Sequence, residues 1–313
     1  MKKRTLTKEE YQLYKYVVST PVDKLFHFLK QVLTEYDYKF VSDDTLYGYI
    51  MTIEGAESPV TLVAHMDTVF TTPPRNIFYD REQNVIWSPY GGVGDDRLGI
   101  FLILLLLKAG HRPHVIFTNE EETGGMGARD LVAVFPEYKF KTNYFIELDR
   151  QGVNDAVFYD CANEDFIKYI TNVFHFEKDY GSFTDISILC PAWGIAGVNL
   201  SIGYIEEHSF TEHVYLTATF HTLTKVGKMI SSANKLAKPF IYIPGGIKPL
   251  RCPNCEHYFN KADLIPVILP NKVESHFCLD CVCNSEEIEW CCCCGNAFIG
   301  KGDFCSRCRD LYV

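Results

Sequence analysis

The 313-residue chain carries 40 acidic against 30 basic residues, a formal net charge of −10, which argues against bulk attraction to nucleic acid or an anionic membrane. Apolar residues at 47% and aromatics at 14% supply ample material for a buried core and exclude a disordered chain.

The opening MKKRTLTKEEYQLY has basic residues with no apolar run behind them, so no secretory signal is read there. Residues 7–35 predict two amphipathic helices separated by Ser19-Thr20-Pro21, with Thr20 as a cap and Pro21 starting the second helix. Phe26, Leu29 and Val32 recur at helical spacing and give that helix one core face. YKFV at 38–41 and TLYGYIMTI at 45–53 read as strands. PVTLVAH at 59–65 and HVIFT at 114–118 are continuous apolar runs, the pattern of strands covered on both faces. A helix at 97–109 lies between them. Its GIFLILLLL stretch at 99–107 is nine residues, far short of the ~20 that cross a membrane, and reads as a core helix. Further helices at 126–134, 163–175 and 212–235 alternate with strands at 143–148 and 197–202. This order predicts an α/β fold with a largely buried central sheet. Residues 236–250 carry three Pro and two Gly and read as a linker, beyond which the composition turns cysteine-rich.

Chemistry gathers at the predicted strand ends, where ligands in open α/β sheets collect. His65 and Asp67 sit at the end of the 59–65 strand, Glu120, Glu121 and Glu122 follow the 114–118 strand, and Asp149 follows the 143–148 strand. Asp95 and Asp96 open the 97–109 helix, whose dipole favours an anion. Alone, His65 or Asp149 is an ordinary strand-end residue. Together, so many carboxylates on one edge would repel one another unless divalent cations were bound. GGVGDDRLG is no phosphate cradle, since it lacks the following Lys-Ser/Thr and its two Asp would repel phosphate. His27, His111, His114, His175 and His221 have no matching cluster and read as surface or satisfied core residues. Arg97 and Arg150 adjoin the acidic groups and read as neutralising local charge.

HMDTV, GDDRLG and FTNEEETGGMGA, in that order over roughly residues 35–230, resemble the co-catalytic di-zinc exopeptidases, a family that includes peptidase T-like tripeptidases and leucyl and glutamyl aminopeptidases. The resemblance implies a three-layer α/β/α domain with a central mixed, mostly parallel sheet. It implies that His65 and Asp149 ligate one zinc and Glu122 and His208 the other, with Asp95 bridging. Asp67 would fix the His65 tautomer, and Glu121 would be the general base acting on a water between the metals. The triple Glu leaves the assignment one residue ambiguous; Gly124, Gly127 and Ala128 favour Glu121 as base and Glu122 as ligand. His213 is the alternative to His208, but His208-Ser-x-x-Glu212 is the better match to the family's terminal motif. Only 59 positions separate Asp149 from His208 and 30 separate His65 from Asp95, too few for the domains inserted in several branches. GSFTDIS at 181–187 faintly resembles a pocket-lining stretch.

Of 13 Cys, eleven lie between Cys252 and Cys308, which fits metal binding in a reducing, cytoplasmic setting better than a disulfide framework. Four Cys-x-x-Cys pairs fit two tetrahedral zinc sites: Cys252, Cys255, Cys278 and Cys281, then Cys291, Cys294, Cys305 and Cys308. Crossed pairing stays open, with Cys283, Cys292 and Cys293 spare. CCCCGNAF…FCSRC resembles the second half of a double zinc ribbon. Six basic against nine acidic residues in 251–313 weigh against nucleic acid and favour a protein partner or a cover for the site. The expected organisation is a catalytic domain at 1–238, a linker at 239–250 and a zinc-ribbon module at 251–313. Its expected activity is a zinc aminopeptidase on short peptides, binding two catalytic and two structural zinc ions. A deacylase acting on a small N-acyl substrate and a non-catalytic peptide-binding adaptor are the alternatives.

Overall fold

The chain enters its first helix through a reciprocal cap. The Thr7 hydroxyl accepts the Glu10 amide at 3.1 Å, and the Glu10 carboxylate accepts the Thr7 amide at 3.0 Å. These bonds satisfy N–H groups that α1 (Lys8–Ser19) would otherwise leave open. Helix α2 (Val22–Glu35) follows, but Thr20 does not cap it. Its hydroxyl donates back to the Tyr16 carbonyl one turn earlier, a local bond that competes with capping, and Pro21 takes the cap position.

The computed structural model describes residues 4–42, 45–52, 60–243, 250–255, 258–259 and 264–309. The chain divides into two compact units, residues 1–179 with 183–244, and residues 245–313 with 180–182. In the first unit β1 (Lys39–Phe40), β2 (Gly48–Thr52), β3 (Val60–His65), β4 (Phe78–Asp80) and β5 (Val85–Trp87) precede α3 (Arg97–Lys108). Then come β6 (His114–Thr118), α4 (Met126–Val134), β7 (Tyr144–Arg150), β8 (Asp155–Val157), α5 (Glu164–Lys168) and β9 (Glu177–Asp179). Helix α6 (Ile186–Trp193), β10 (Gly197–Ser201), β11 (Tyr204–Ile205), β12 (His213–Tyr215) and α7 (Leu216–Ala233) complete it. The helix expected at 163–175 is α5 continued by a π-turn over Tyr169–Val173. The one expected at 212–235 begins only at Leu216, because His213–Tyr215 pairs as a strand.

Eight strands form a mixed sheet in the order β1-β2-β6-β3-β7-β10-β8-β9, whose central four, β6, β3, β7 and β10, run parallel. Both faces are covered, so side chains alternate between two cores. Leu62 and Ala64 of β3 face the core shared with α1, α2, α3 and α7, while Val63 faces the one shared with α4 and α6. Helix α3 is buried from Arg97 to Leu107, as its continuous apolar run requires. A second, antiparallel sheet has the order β11-β12-β5-β4. No helix among the described residues is long and apolar enough to cross a membrane.

The expected linker at 239–250 falls partly outside the described residues. Its start is not loose: Phe240 donates to the Asn143 carbonyl and accepts from the Ala196 amide, and Ile241 bridges Ile195. These residues finish the first unit, because backbone groups beside the buried sheet need partners.

In the second unit β13 (Leu250–Arg251) pairs with β14 (Tyr258–Phe259). Strands β15 (Leu264–Ile268) and β16 (Glu274–Cys278) lead to α8 (Leu279–Cys283), β17 (Ile288–Trp290), β18 (Ala297–Ile299) and α9 (Ser306–Arg309). The parallel pairing of β15 with β18 joins two hairpin halves into one four-stranded sheet, β16-β15-β18-β17.

Candidate metal centres

From β3 the chain passes to β6 on one side and then to β7 on the other, so the carboxyl ends of β3 and β7 mark a topological switch point. His65 ends β3. Its Nε2 lies 3.0 Å from Asp95 Oδ1 and 3.5 Å from Asp149 Oδ1. His208, in the loop between β11 and β12, has its Nε2 3.0 Å from Asp95 Oδ2 and 3.2 Å from Glu122 Oε2. The ligand atoms of His65, Asp95 and Asp149 all fall within 4.8 Å of one another, and so do those of Asp95, Glu122 and His208. The two trios share Asp95, each of whose oxygens faces a different imidazole. Neither Glu120 nor His213 belongs to a trio; the His213 ring sits 2.8 Å from the Thr211 carbonyl. His114 is a satisfied core histidine, bonded to Thr52 and the Lys141 carbonyl.

Around the trios, each neighbouring polar group has a definable task. Asp67 lies 3.2 Å from His65 Nδ1, and its two oxygens accept the Glu121 and Glu122 amides at 3.1 Å each. One carboxylate therefore orients the imidazole and pins the turn that carries Glu121 and Glu122. Asp67→Ala is expected to weaken metal binding about 10–100-fold, measured by competition with a chromophoric chelator. An unchanged affinity would refute the orienting role. The Asp95–Asp96 peptide is cis. Asp96, which belongs to neither trio, caps α3, accepting the Gly99 and His65 amides at 3.1 Å. The Arg97 guanidinium donates to the Val17 and Thr20 carbonyls at 2.7 and 2.8 Å, near enough to Asp67 and Asp96 to offset their charge. Arg150 pairs with Asp179 at 2.8 Å.

Some supporting residues escape a reading by hydrophobic pattern. Buried Glu212 accepts the Gly94 amide at 2.6 Å and so anchors the residue before Asp95. Asp149 accepts from the Thr184 and Tyr204 hydroxyls, and its backbone is held on both sides by the Asn199 amide. Asn199 and Glu147 are polar residues inside apolar strand runs, and a buried polar group that must find partners is the signal that could have singled them out. In GSFTDIS, Asp185 is fully buried and accepts from the Thr118 hydroxyl.

The electrostatics are those of crowded carboxylates in a dry site. Burial, with Asp95 beside it, pushes Asp149 up to about 8. Burial, reinforced by Asp149, Asp185 and Glu122 against the pull of His65, pushes Glu121 up to about 9. Hydrogen bonds to Asp95 and Glu122 raise His208 to about 11, and His65 is also raised, its carboxylate neighbours outweighing burial. Protons are thus drawn to this cluster from both directions, as expected where cations belong. Glu122 Oε1 is buried without a hydrogen-bond partner among the described residues. Each trio pairs one imidazole with two carboxylates, a donor set suited to zinc.

The eight cysteines assemble as two sets in the sequence order, Cys252/Cys255/Cys278/Cys281 and Cys291/Cys294/Cys305/Cys308, each with its sulfurs within 4.8 Å. None of the 13 cysteines is in a disulfide. Cys255 and Cys278 sulfurs are 3.7 Å apart, and those of Cys294 and Cys305 are 3.8 Å apart. Sulfurs placed tetrahedrally at 2.3 Å from a zinc ion would stand about 3.8 Å apart, so both sets have the size of a Cys₄ zinc site.

A mixed sheet with a parallel centre and helices on both faces is the fold this chain shares with solved aminopeptidase structures. Solved structures similar to this chain include aminopeptidase PepT from Bacillus cereus, with a TM-score of 0.58 at 14% identity over 72% of this chain and 98% of that one. A tripeptidase from Staphylococcus aureus matches with a TM-score of 0.58 at 12% identity over 74% and 100%. An aminopeptidase from the archaeon Desulfurococcus kamchatkensis matches with a TM-score of 0.54 at 14% identity over 71% and 94%. At such identities the likeness is one of fold. No family model matches the chain, and no curated protein does.

Proposed function

We propose that the chain is a zinc-dependent exopeptidase, an aminopeptidase of short peptides, with a catalytic domain at 1–238 and a double zinc ribbon at 251–313. The observation that carries this reading is the shared Asp95, each oxygen 3.0 Å from one of two histidines. His65, Asp95 and Asp149 would hold one zinc, and Asp95, Glu122 and His208 the other. When bound, the two ions supply polarisation of the scissile carbonyl and acidification of water. Glu121, buried beside the trios but outside both, is left to carry a proton from the nucleophile to the leaving amine. Asp67 keeps the His65 ring and the Glu121 turn in place while that happens. The peptidase neighbours support a peptide substrate, and the thiol-rich second unit supports a cytoplasmic setting and a protein partner.

Purified protein is expected to contain about four zinc ions per chain, two in each unit, by elemental mass spectrometry. Cys252→Ser and Cys305→Ser should each remove about one of them. Peptides with a free α-amine should be cleaved. Turnover confined to N-acylated substrates would turn the assignment to a deacylase, and a fully metallated protein inert to both classes would point to a binding adaptor.

A further inference from the structure

An antiparallel sheet with one face on a core normally turns polar side chains outward on the other. The sheet β11-β12-β5-β4 does not. Its register sets Ile205, His213, Trp87 and Phe78 in one row across the four strands. Tyr215, Val85 and Asp80 form the next row on the same face. The intervening Val214 and Ile86 point the other way and are fully buried, so these rows form the outer face. Phe78 and Trp87 stack with ring centroids 4.7 Å apart, yet remain 46% and 42% exposed. The His213 and Tyr215 rings meet edge to face at 4.9 Å. Against this face lies a cavity of about 410 Å³, whose lining includes Val85, Trp87, Pro89, Phe210, Thr211 and His213. That volume lies within the roughly 300–1,000 Å³ of small-molecule sites.

Both walls of the cavity belong to segments that carry metal-site residues. Phe210 follows His208 by two positions, so their Cα atoms are at most about 7 Å apart. The opposite wall, 85–89, runs on to Gly94, whose amide Glu212 holds at 2.6 Å, and then to Asp95. The two segments close up at Gly91, where a Cβ would come within 2.5 Å of the Ser209 carbonyl oxygen and 2.6 Å of the Phe70 ring. Its φ of +66° adds to the demand for glycine there. The Phe70 ring in turn lies 5.9 Å from that of Phe210. A peptide strand advancing about 3.3 Å per residue covers the reach from His208 to Phe210 in one or two residues.

We propose that this cavity receives a large apolar or aromatic side chain next to the scissile bond of the peptide substrate, an inference that rests on the exopeptidase reading. Trp87 and Phe210 are then the residues that set specificity. Their rings offer flat apolar walls, and a substrate ring laid against them leaves water and gains ring-on-ring contact. No Lys or Arg lines the cavity among the described residues, and Glu212, the carboxylate in its lining, is spent on the Gly94 amide. An acidic side chain would find no counter-charge there. A small one would leave the walls wet.

The test measures kcat/KM of the full zinc-loaded chain on Phe-Ala, Ala-Phe, Ala-Ala and Asp-Ala. One of the two Phe dipeptides should exceed Ala-Ala by about 10–100-fold, and which one does so tells the side of the bond that reaches the cavity. Trp87→Ala should reduce that ratio about tenfold, whereas Trp87→Phe, which keeps an aromatic wall, should retain most of it. Phe210→Ala is a second, independent removal of a wall, and zinc content with circular dichroism shows that each variant is folded. Equal turnover of Phe and Ala dipeptides by wild type overturns the proposal, as does a preference undiminished in both alanine variants. A dimer in sedimentation that becomes monomeric in Trp87→Ala, without side-chain preference, gives the aromatic face to a second copy and overturns it too. If the zinc-loaded chain cleaves none of these peptides, the exopeptidase reading falls, and calorimetric binding of the same dipeptides decides the cavity separately. Tighter binding of a Phe dipeptide than of Ala-Ala, lost in Trp87→Ala, upholds the cavity; equal binding removes it as well.

Discussion

Glu121→Gln is expected to lower kcat by roughly 10²–10⁴-fold while zinc content stays at the wild-type value. The substitution keeps the size of the side chain and removes its ability to take up a proton. Glu121 lies in neither trio, so no ligand atom is lost. Its backbone amide, held by Asp67, is unchanged, and the turn that positions Glu122 should survive. Without cations, burial and the carboxylates of Asp149, Asp185 and Glu122 hold Glu121 at about 9, so it would stay protonated at neutral pH and could not serve as a base. Positive charge in the two trios favours the ionised form, which makes the base available only in the loaded protein. Steady-state turnover of a free-amine dipeptide beside elemental analysis of the same sample provides the measurement. A fully active, fully metallated variant would remove Glu121 from the chemistry. A variant that loses zinc would instead make Glu121 a ligand.

Much of this site was legible in the chain because its groups fall at strand ends, and strand ends are where an apolar run stops. His65, Glu121, Glu122 and Asp149 each stand at or just beyond a buried strand that the hydrophobic pattern identifies. The cysteine sets were legible for a different reason: two thiolates on one turn declare themselves by spacing alone. The antiparallel sheet β11-β12-β5-β4 was not. Its strands are two or three residues long, and Trp87 pairs with His213, so no local period signals the pairing. That sheet supports the loop that brings His208 to Asp95, so hydrophobic pattern said nothing of His208 or His213, and only the resemblance of His208-Ser-x-x-Glu212 to the family's terminal motif favoured His208. Only the fold places the His208 ring at the trio and the His213 ring beside the Thr211 carbonyl. The supporting contacts of Asn199, Thr184, Tyr204 and Glu212 depend on which side chain meets which across elements, and sequence spacing does not carry that information.

Asp95→Asn is expected to remove zinc from both trios at once and to bring peptide hydrolysis below detection. An amide keeps the shape of the carboxylate but offers one neutral oxygen in place of two charged ones, whereas His65 and His208 each face a separate Asp95 oxygen. Substitutions on one side of the pair should behave differently. Asp149→Asn should weaken the trio with His65, and Glu122→Gln the trio with His208, each at the cost of about one zinc ion. Thermal unfolding gives a readout independent of turnover. A ligand at a hundred times its Kd adds about 2.7 kcal/mol of stability per site, so wild type should gain Tm as zinc is added. Asp95→Asn should lose the part of that gain that belongs to the first unit while keeping what the cysteine sets contribute. In metal-free protein the same variant should be less stable than wild type at neutral pH, because, against the cost of burial, the His208 and His65 imidazoles hold the Asp95 carboxylate well below its ordinary range, and an amide forfeits those charged contacts. A zinc count reduced by one rather than about two would show that the trios bind independently and that Asp95 is not their bridge.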